Sequence, residues 1–374
     1  VRFQDIQGLG AIKSKLIEAV KNDHVAHAQL FAGSEGSANL AMALAFATYL
    51  NCENKGEDAC GVCPQCVKNE KFIHPDVNFI FPTAATTKLS RDKSSSEKFL
   101  REWRSFLQEQ PYGNVSDWSA HFGWENKLLS IPTHEKSNIL QSLSLKAFEG
   151  EYKIMIIWQP ELMHQNAANG ILKILEEPPA NTVFLMVSNR PNALLKTITS
   201  RTQKLNVPLF EDSDIIDILK ERTDLSHEEA GRLAYFAEGN LRKALILSEG
   251  SIDDTQELFK EWFRYCYTFN FESLVALADA FQKKGKEFQL ALLSSASRMI
   301  RESLVHHAAV DELARIPESE LPFIEKFSGV FDLEKIATLM PKLDEAVYHI
   351  ERNANPKILF LDLSLAIAQI ARGS

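Results

Sequence analysis

At 374 residues, with 45% hydrophobic and 24% charged side chains, the chain has a globular composition and the length of two or three domains. Its formal net charge of −9 argues against a surface that grips nucleic acid unaided, because phosphate binding needs clustered Lys and Arg. No run of eighteen apolar residues and no charged-then-apolar leader is present, so a cytoplasmic protein is expected.

Residues 10–20 (GAIKSKLIEAV) set apolar side chains at helical spacing, and Ala28 to Ala32 then reads as a short buried strand. A Gly/Ser turn, Gly33 to Ser37, leads into the apolar helix LAMALAFATYL. Strand, glycine turn, helix is the order of a nucleotide-binding α/β unit. Four of the five cysteines follow, between Cys52 and Cys66. Residues 84–128 break the pattern: TAATTKLSRDKSSSEK is polar, FLREWRSFL resumes helical spacing, and Trp103, Trp118 and Trp124 all lie here. This stretch reads as an insertion with a mobile start and an aromatic-anchored remainder, with Trp103 and Phe106 paired at i,i+3 in a core. KIMIIW (153–158) and TVFLMVS (182–188) are nearly all-apolar, as strands buried on both faces are, and predict a parallel sheet covered by helices. From Phe210 onward every periodic segment is helical: a small bundle over 213–248, broken at Gly239-Asn240, then five or six amphipathic stretches over 252–374. The expected class is α/β plus all-α.

Three segments bear on chemistry. A working phosphate loop, G-x-x-x-x-G-K-[ST], closes backbone N–H groups on phosphate, neutralises it with Lys and holds Mg²⁺ through the hydroxyl. Here GSEGSANL keeps Gly33 and has Gly36, but Ala38 stands at the second glycine position, Asn39 at the lysine and Leu40 at the hydroxyl. Alone, such a segment is an ordinary turn before a helix. The strand KIMIIW, which in an ATPase ends in an acidic pair, runs into Trp158-Gln159-Pro160-Glu161. A Trp-Gln pair neither binds Mg²⁺ as carboxylates do nor takes a proton from water, so the two losses together predict no ATP hydrolysis. Cys52, Cys60, Cys63 and Cys66 form C-x7-C-x2-C-x2-C, the spacing of a closed, structural tetrahedral zinc site. An iron–sulfur cluster is the competing reading, against which the missing C-x3-C-P continuation counts. Cys266 is expected in a helical core. The basic run Lys283, Lys284 and Lys286 is too short for a DNA groove.

NAANGILKILEEPP (166–179) resembles the helix N-A-L-L-K-x-L-E-E-P-P of AAA+ clamp-loader subunits of bacterial DNA polymerase III, and TITSRTQ (197–203) resembles their S-R-C-Q segment, with Thr202 in place of cysteine. His27-Ala28, His74-Pro75-Asp76, LSLKAFEGEYKI (143–154), GNLRKAL (239–245) and IERNANPKILFLDL (350–363) extend the likeness over residues 3–80, 131–247 and into the C-terminal region. Residues 84–128 have no counterpart in it. Catalytic gamma/tau members keep an intact phosphate loop and delta-prime members often lose it, so the altered loop implies the delta-prime branch. The resemblance also implies an AAA+ ATPase-like domain at 1–208 bearing the zinc module (about 50–70), a helical lid at 209–249 and a helical collar at 250–374. It implies a place in a hetero-pentameric ring with gamma/tau and delta subunits, no ATP in the chain's own site, and action on a sliding clamp and primed DNA through the complex. Arg201 would face the γ-phosphate in a neighbour's ATP site as an arginine finger. Ser188-Asn189 and Arg242 fall where the family senses phosphate, here as structural relics. The alternatives are an ATP-hydrolysing gamma/tau-like motor with an unusual loop and a zinc-bearing DNA-binding protein, the latter disfavoured by the acidic balance.

Overall fold

The computed structural model describes residues 1–87, 89–124, 127–249, 252–307, 321–352 and 354–372. Parts of the insertion (Lys88, Glu125, Asn126), the 249/250 boundary at Gly250 and Asn353 of the 350–363 segment therefore lie outside the described residues. The chain forms two compact units, Val1–Leu245 and Ile246–Ser374.

The first unit is built on five parallel strands: β1 (Ala28–Ala32), β2 (Val77–Ile80), β3 (Lys153–Trp158), β4 (Thr182–Ser188) and β5 (Gln203–Asn206), in the order β2-β3-β4-β1-β5. Strands β1, β3 and β4 occupy the interior of the sheet and are buried at every residue, which is why their sequences are mostly apolar rather than alternating. The two edge strands are absent from the sequence reading. VNFI is only four residues long, and QKLN buries Leu205 alone, so neither carries the apolar signal of a central strand. Register sets the geometry of the site. Ala32 pairs with Ser188, and Val187 pairs with Trp158, so β1, β4 and β3 end side by side. The segments that follow, Gly33, Asn189 and Gln159, thus emerge together at the carboxyl ends of the strands, where open α/β sheets bind ligands.

Helix α1 (Gly10–Lys21) precedes β1, and α2 (Asn39–Leu50) follows it. All twelve residues of α2 are buried, consistent with a helix apolar on every side packed against the sheet and α3 (Pro64–Glu70). The insertion contributes α4 (Leu100–Glu109) and α5 (Val115–Phe122). Phe81 stacks on Trp103 at 4.3 Å, Trp103 meets Trp118 edge-on at 5.2 Å and Trp158 at 4.9 Å, and Trp118 meets Trp124 at 5.8 Å. Trp103 and Phe106 sit in the core as their spacing predicts. Of the stretch expected to be mobile, Ser94, Ser95 and Ser96 are buried, and Ser96 exchanges two 3.1 Å hydrogen bonds with the Phe81 backbone. Its N–H also donates to the buried Glu135 carboxylate of α6 (Glu135–Ser144) at 2.5 Å.

The 166–179 segment is two short helices, α7 (Gln165–Gly170) and α8 (Leu172–Glu176), rather than the one the resemblance implies. Gly170 is the break: it weakens the helix, and a side chain there would lie 2.1 Å from Lys136 Cδ. Helix α9 (Lys196–Thr199) precedes β5; after Phe210 come α10 (Asp212–Arg222) and α11 (His227–Ala237), which pack on each other, and α12 (Leu241–Glu249), which follows the expected break at Gly239-Asn240. The second unit holds α13 (Ile252–Thr268), α14 (Phe271–Lys283), α15 (Lys286–His307), α16 (Leu321–Val330), α17 (Leu333–Glu351) and α18 (Pro356–Arg372) around one apolar core that includes Cys266, as expected of that residue. No helix among the described residues is long and apolar enough to cross a membrane.

Candidate functional site: a closed nucleotide turn, an exposed arginine and four cysteines

The turn between β1 and α2 has the backbone that glycine permits. A side chain on Gly33 would collide with Ser37 Oγ at 2.2 Å, and Gly36 adopts φ +78°, with Asn240 Oδ1 1.8 Å from where a Cβ would be. Leu241 N–H donates to the Gly36 carbonyl at 3.1 Å, so the turn lies directly against the start of α12. Asn39, at the lysine position, is 5% exposed. Its amide donates to Asn189 Oδ1 at 2.7 Å, with longer contacts to the carbonyls of Ser188 (3.3 Å) and Gly33 (3.4 Å). Where a phosphate-binding ammonium would reach outward, a neutral amide ties the turn to the end of β4. Leu40 is buried. Trp158 stacks into the aromatic core, and Gln159 takes a left-handed conformation (φ 55°) with a buried side-chain nitrogen that has no protein partner among the described residues.

Two features were not legible in the sequence. Arg242 Nε and Nη2 each lie 2.5 Å from an oxygen of Asp117, a bidentate pair reaching from α12 into the insertion, and Arg242 Nη1 is 3.5 Å from Glu35 in the glycine turn. Asn114 donates to the same Glu35 carboxylate. No local motif couples residues 125 positions apart.

Arg201 follows α9, partly exposed. Its Nε donates to Glu176 Oε1 at 2.6 Å and its Nη1 to the Thr197 carbonyl at 2.9 Å. Glu176 is the first acid of the EEPP segment, so the two family-like segments, 166–179 and 197–203, meet in this pair. None of Arg201's partners belongs to the Gly33–Leu40 turn, and the structure does not bring it to the chain's own loop.

The four cysteines do converge. Their sulfurs lie within 4.8 Å of one another, and Cys60 Sγ is 3.9 Å from Cys66 Sγ. A tetrahedral ion with metal–sulfur bonds of 2.3 Å separates its thiolates by about 3.8 Å, so the set fits one such ion. Backbone N–H groups of Cys60, Cys63 and Cys66 point at Cys52, Cys60 and Cys63 sulfurs at 3.2–3.4 Å. Bonds from the Val62 and Cys63 N–H groups bring the Cys60 thiol down to about 6, whereas burial raises Cys52 and Cys66. Buried thiols that resist ionisation alone release their protons to a metal.

The module is fastened to the sheet edge through the His74-Pro75-Asp76 segment. His74 Nε2–H donates to Gln65, beside Cys66, at 2.6 Å, and His74 Nδ1 accepts from Asp76 N–H at 3.1 Å. The fully buried Asp76 carboxylate accepts N–H bonds from Phe148 (2.7 Å), Glu149 (2.8 Å) and Gly150 (2.8 Å) and pairs with Lys153 at 3.2 Å.

A parallel sheet whose strand ends gather a glycine turn, Gln159 and Asn189, followed by a three-helix segment, defines an AAA+ domain of the clamp-loader class. Residues 9–211 match the family model for the DNA polymerase III delta subunit, and the chain belongs to that family, as a member of the delta' kind. It is 28% identical over 233 residues to the DNA polymerase III subunit delta' of Bacillus subtilis, covering 62% of this chain and 57% of the relative. It is 29% identical over 185 residues to the Pseudomonas aeruginosa delta' subunit, covering 49% of this chain and 44% of that one. The Escherichia coli tau subunit is 24% identical over 304 residues, 79% of this chain and 40% of the relative. The match thus spans about half the length of these relatives.

Proposed function

We propose that this chain is the delta-prime subunit of a DNA polymerase III clamp loader: a ring member that does not hydrolyse ATP and that supplies Arg201 to the ATP site of an adjacent subunit. The observation that carries this reading is the pairing of a closed turn with an outward arginine. Asn39 is committed to Asn189, Leu40 offers no hydroxyl, and Trp158-Gln159 offers no carboxylate, while Arg201 stands partly exposed and away from that turn. A guanidinium held by Glu176, a backbone carbonyl and the Ser200 hydroxyl, all at a partly exposed site, can exchange those acceptors for phosphate oxygens on a neighbour. The partners are gamma/tau and delta subunits in a hetero-pentameric ring, which opens a sliding clamp and sets it on primed DNA in the cytoplasm. Residues 1–208 would form the ATPase-like domain, 209–249 a lid and 250–374 the collar that joins the ring. Cys52, Cys60, Cys63 and Cys66 would hold one structural Zn²⁺; the sulfurs converge on a single point, which suits one ion better than a cluster.

The test is steady-state ATPase and clamp loading by reconstituted complex. At matched assembly, Arg201→Ala slows ATP-dependent loading, with a loss on the order of 10³-fold at the one site served and less for the whole ring. Arg201→Lys fails nearly as badly, since an ammonium lacks the planar fork. Both variants matching wild type would overturn the trans role.

A further inference from the structure

The insertion is the part of the chain the family likeness leaves without a purpose, and its contacts are unusual. It leaves the aromatic core at Gln110 and returns to it at Trp118, and the intervening residues lie between the glycine turn and the helices after Phe210. Tyr112, 7% exposed, packs edge-on against Phe210 at 5.8 Å, with the Arg222 guanidinium 6.0 Å from its ring. Asn114 reaches Glu35 in the turn. Asp117 takes Arg242 of α12 in both oxygens. An aromatic ring at Phe210, an amide at the turn and a doubly hydrogen-bonded anion at α12 thus follow one another along 112–117.

We propose that residues 112–118 are a built-in substitute for nucleotide, a segment of this chain that joins the glycine turn to the helices after Phe210 as a bound nucleotide would. The inference rests on the reading of Gly33–Leu40 as a phosphate loop that has given up its ligand. In a charged site, loop and facing basic residues share the anionic groups of one ligand. Here Asp117 supplies the anion to Arg242, and Arg242 and Asn114 both face Glu35 of the turn. Asp117 is fixed before any encounter, because Asn114 and Asp117 form a reciprocal cap on α5 (2.8 and 2.9 Å) and Trp118 behind them donates to the Pro82 carbonyl at 2.8 Å. A preorganised group of this kind loses little freedom on making its contacts. Burial also pushes the Tyr112 hydroxyl up to about 12, so the ring stays neutral against its apolar neighbour. The arrangement excludes the ligand it replaces: an arriving phosphate meets the carboxylates of Glu35 and Asp117 around a guanidinium already paired with both.

Hydrogen exchange on the full chain, with and without millimolar MgADP, tests this. Asp117→Asn keeps the shape and removes the charge. It is expected to speed exchange of amides in 33–40 and 241–245 at least tenfold while leaving β3 and β4 as slow as in wild type. Arg242→Gln, the other half of the pair, loosens the same two segments, and Tyr112→Ala loosens 110–118 and 241–245. In wild type, MgADP changes none of them. Exchange within twofold of wild type in Asp117→Asn and Arg242→Gln overturns the proposal, as does protection of 33–40 by MgADP in wild type with release of 110–118. Failure of the underlying reading shows separately, as ATP hydrolysis by the pure wild-type chain.

Discussion

Asp76 has no solvent exposure, yet three N–H donors and Lys153 keep it ionised. Burial alone would raise its carboxyl; the bonds from Gly150, Glu149 and Phe148, with Lys153, outweigh burial and hold it below the ordinary value. A carboxyl depressed on folding binds fewer protons in the folded state, so its stabilisation is full above the unfolded value of about 3.9 and is lost as pH falls through the folded one. His74 has the same sign: burial lowers it, so the neutral ring is favoured and its contribution declines below about pH 6.5. Asp76→Asn leaves Lys153 buried without its counter-charge and is expected to cost about 3–5 kcal/mol in urea unfolding at neutral pH. The steep loss of stability below about pH 4 should flatten in the variant. An unchanged acid limb would mean that other carboxylates carry it. Arg201 offers a second test at this scale. Glu176→Ala removes its carboxylate acceptor without touching the guanidinium, and under the proposed trans role is expected to keep ATPase of the reconstituted complex within a few-fold of wild type, because a surface pair of this exposure is worth about 1 kcal/mol or less.

Among the elements, the cysteine module makes the sharpest forecast. One equivalent of zinc and no visible chromophore are expected on metal analysis; iron with a brown colour would reverse the assignment. Cys63→Ser, or chelation, should loosen residues 50–70 and leave the sheet folded, read as faster exchange in that stretch alone. These four residues were legible because thiolate chemistry needs particular residues at short spacing. Strands β1, β3 and β4 and helix α2 were legible for a different reason, since burial on every side leaves few polar positions, most of them at the ends. Legibility ended where burial was one-sided or partners were distant. β5 offers one buried residue in four, α7 and α8 part at a glycine whose neighbour Lys136 comes from another helix, and Asp117 meets Arg242 across 125 positions. The altered glycine turn was visible as missing chemistry, but the bond from Asn39 to Asn189 that replaces it was not.

For the whole molecule, the isolated chain is expected to show no ATP turnover above a preparation-matched blank. Asn39→Lys should not restore it: the ammonium would be buried at a site whose acceptors are a side-chain amide and two carbonyls, and Mg²⁺ would still lack hydroxyl and carboxylate ligands. The variant is instead expected to lose stability, by a few kcal/mol in denaturant titration, since a charge without a counter-charge is costly at 5% exposure. Robust turnover by Asn39→Lys would mean that the rest of the site is intact.

The strand order also has a consequence for biosynthesis. β1 is flanked only by β4 and β5, so its hydrogen bonds wait for partners that begin at Thr182, roughly 150 residues beyond Ala32. At about 5–20 residues per second that is about 8–30 s on the ribosome. Throughout that interval AQLFA and NLAMALAFATYL, buried at every position in the finished sheet, are already synthesised and unpaired. Nascent chains stalled between residues 60 and 180 should therefore bind chaperones and sediment, whereas chains stalled after Asn206 has cleared the exit tunnel should resist protease through β1.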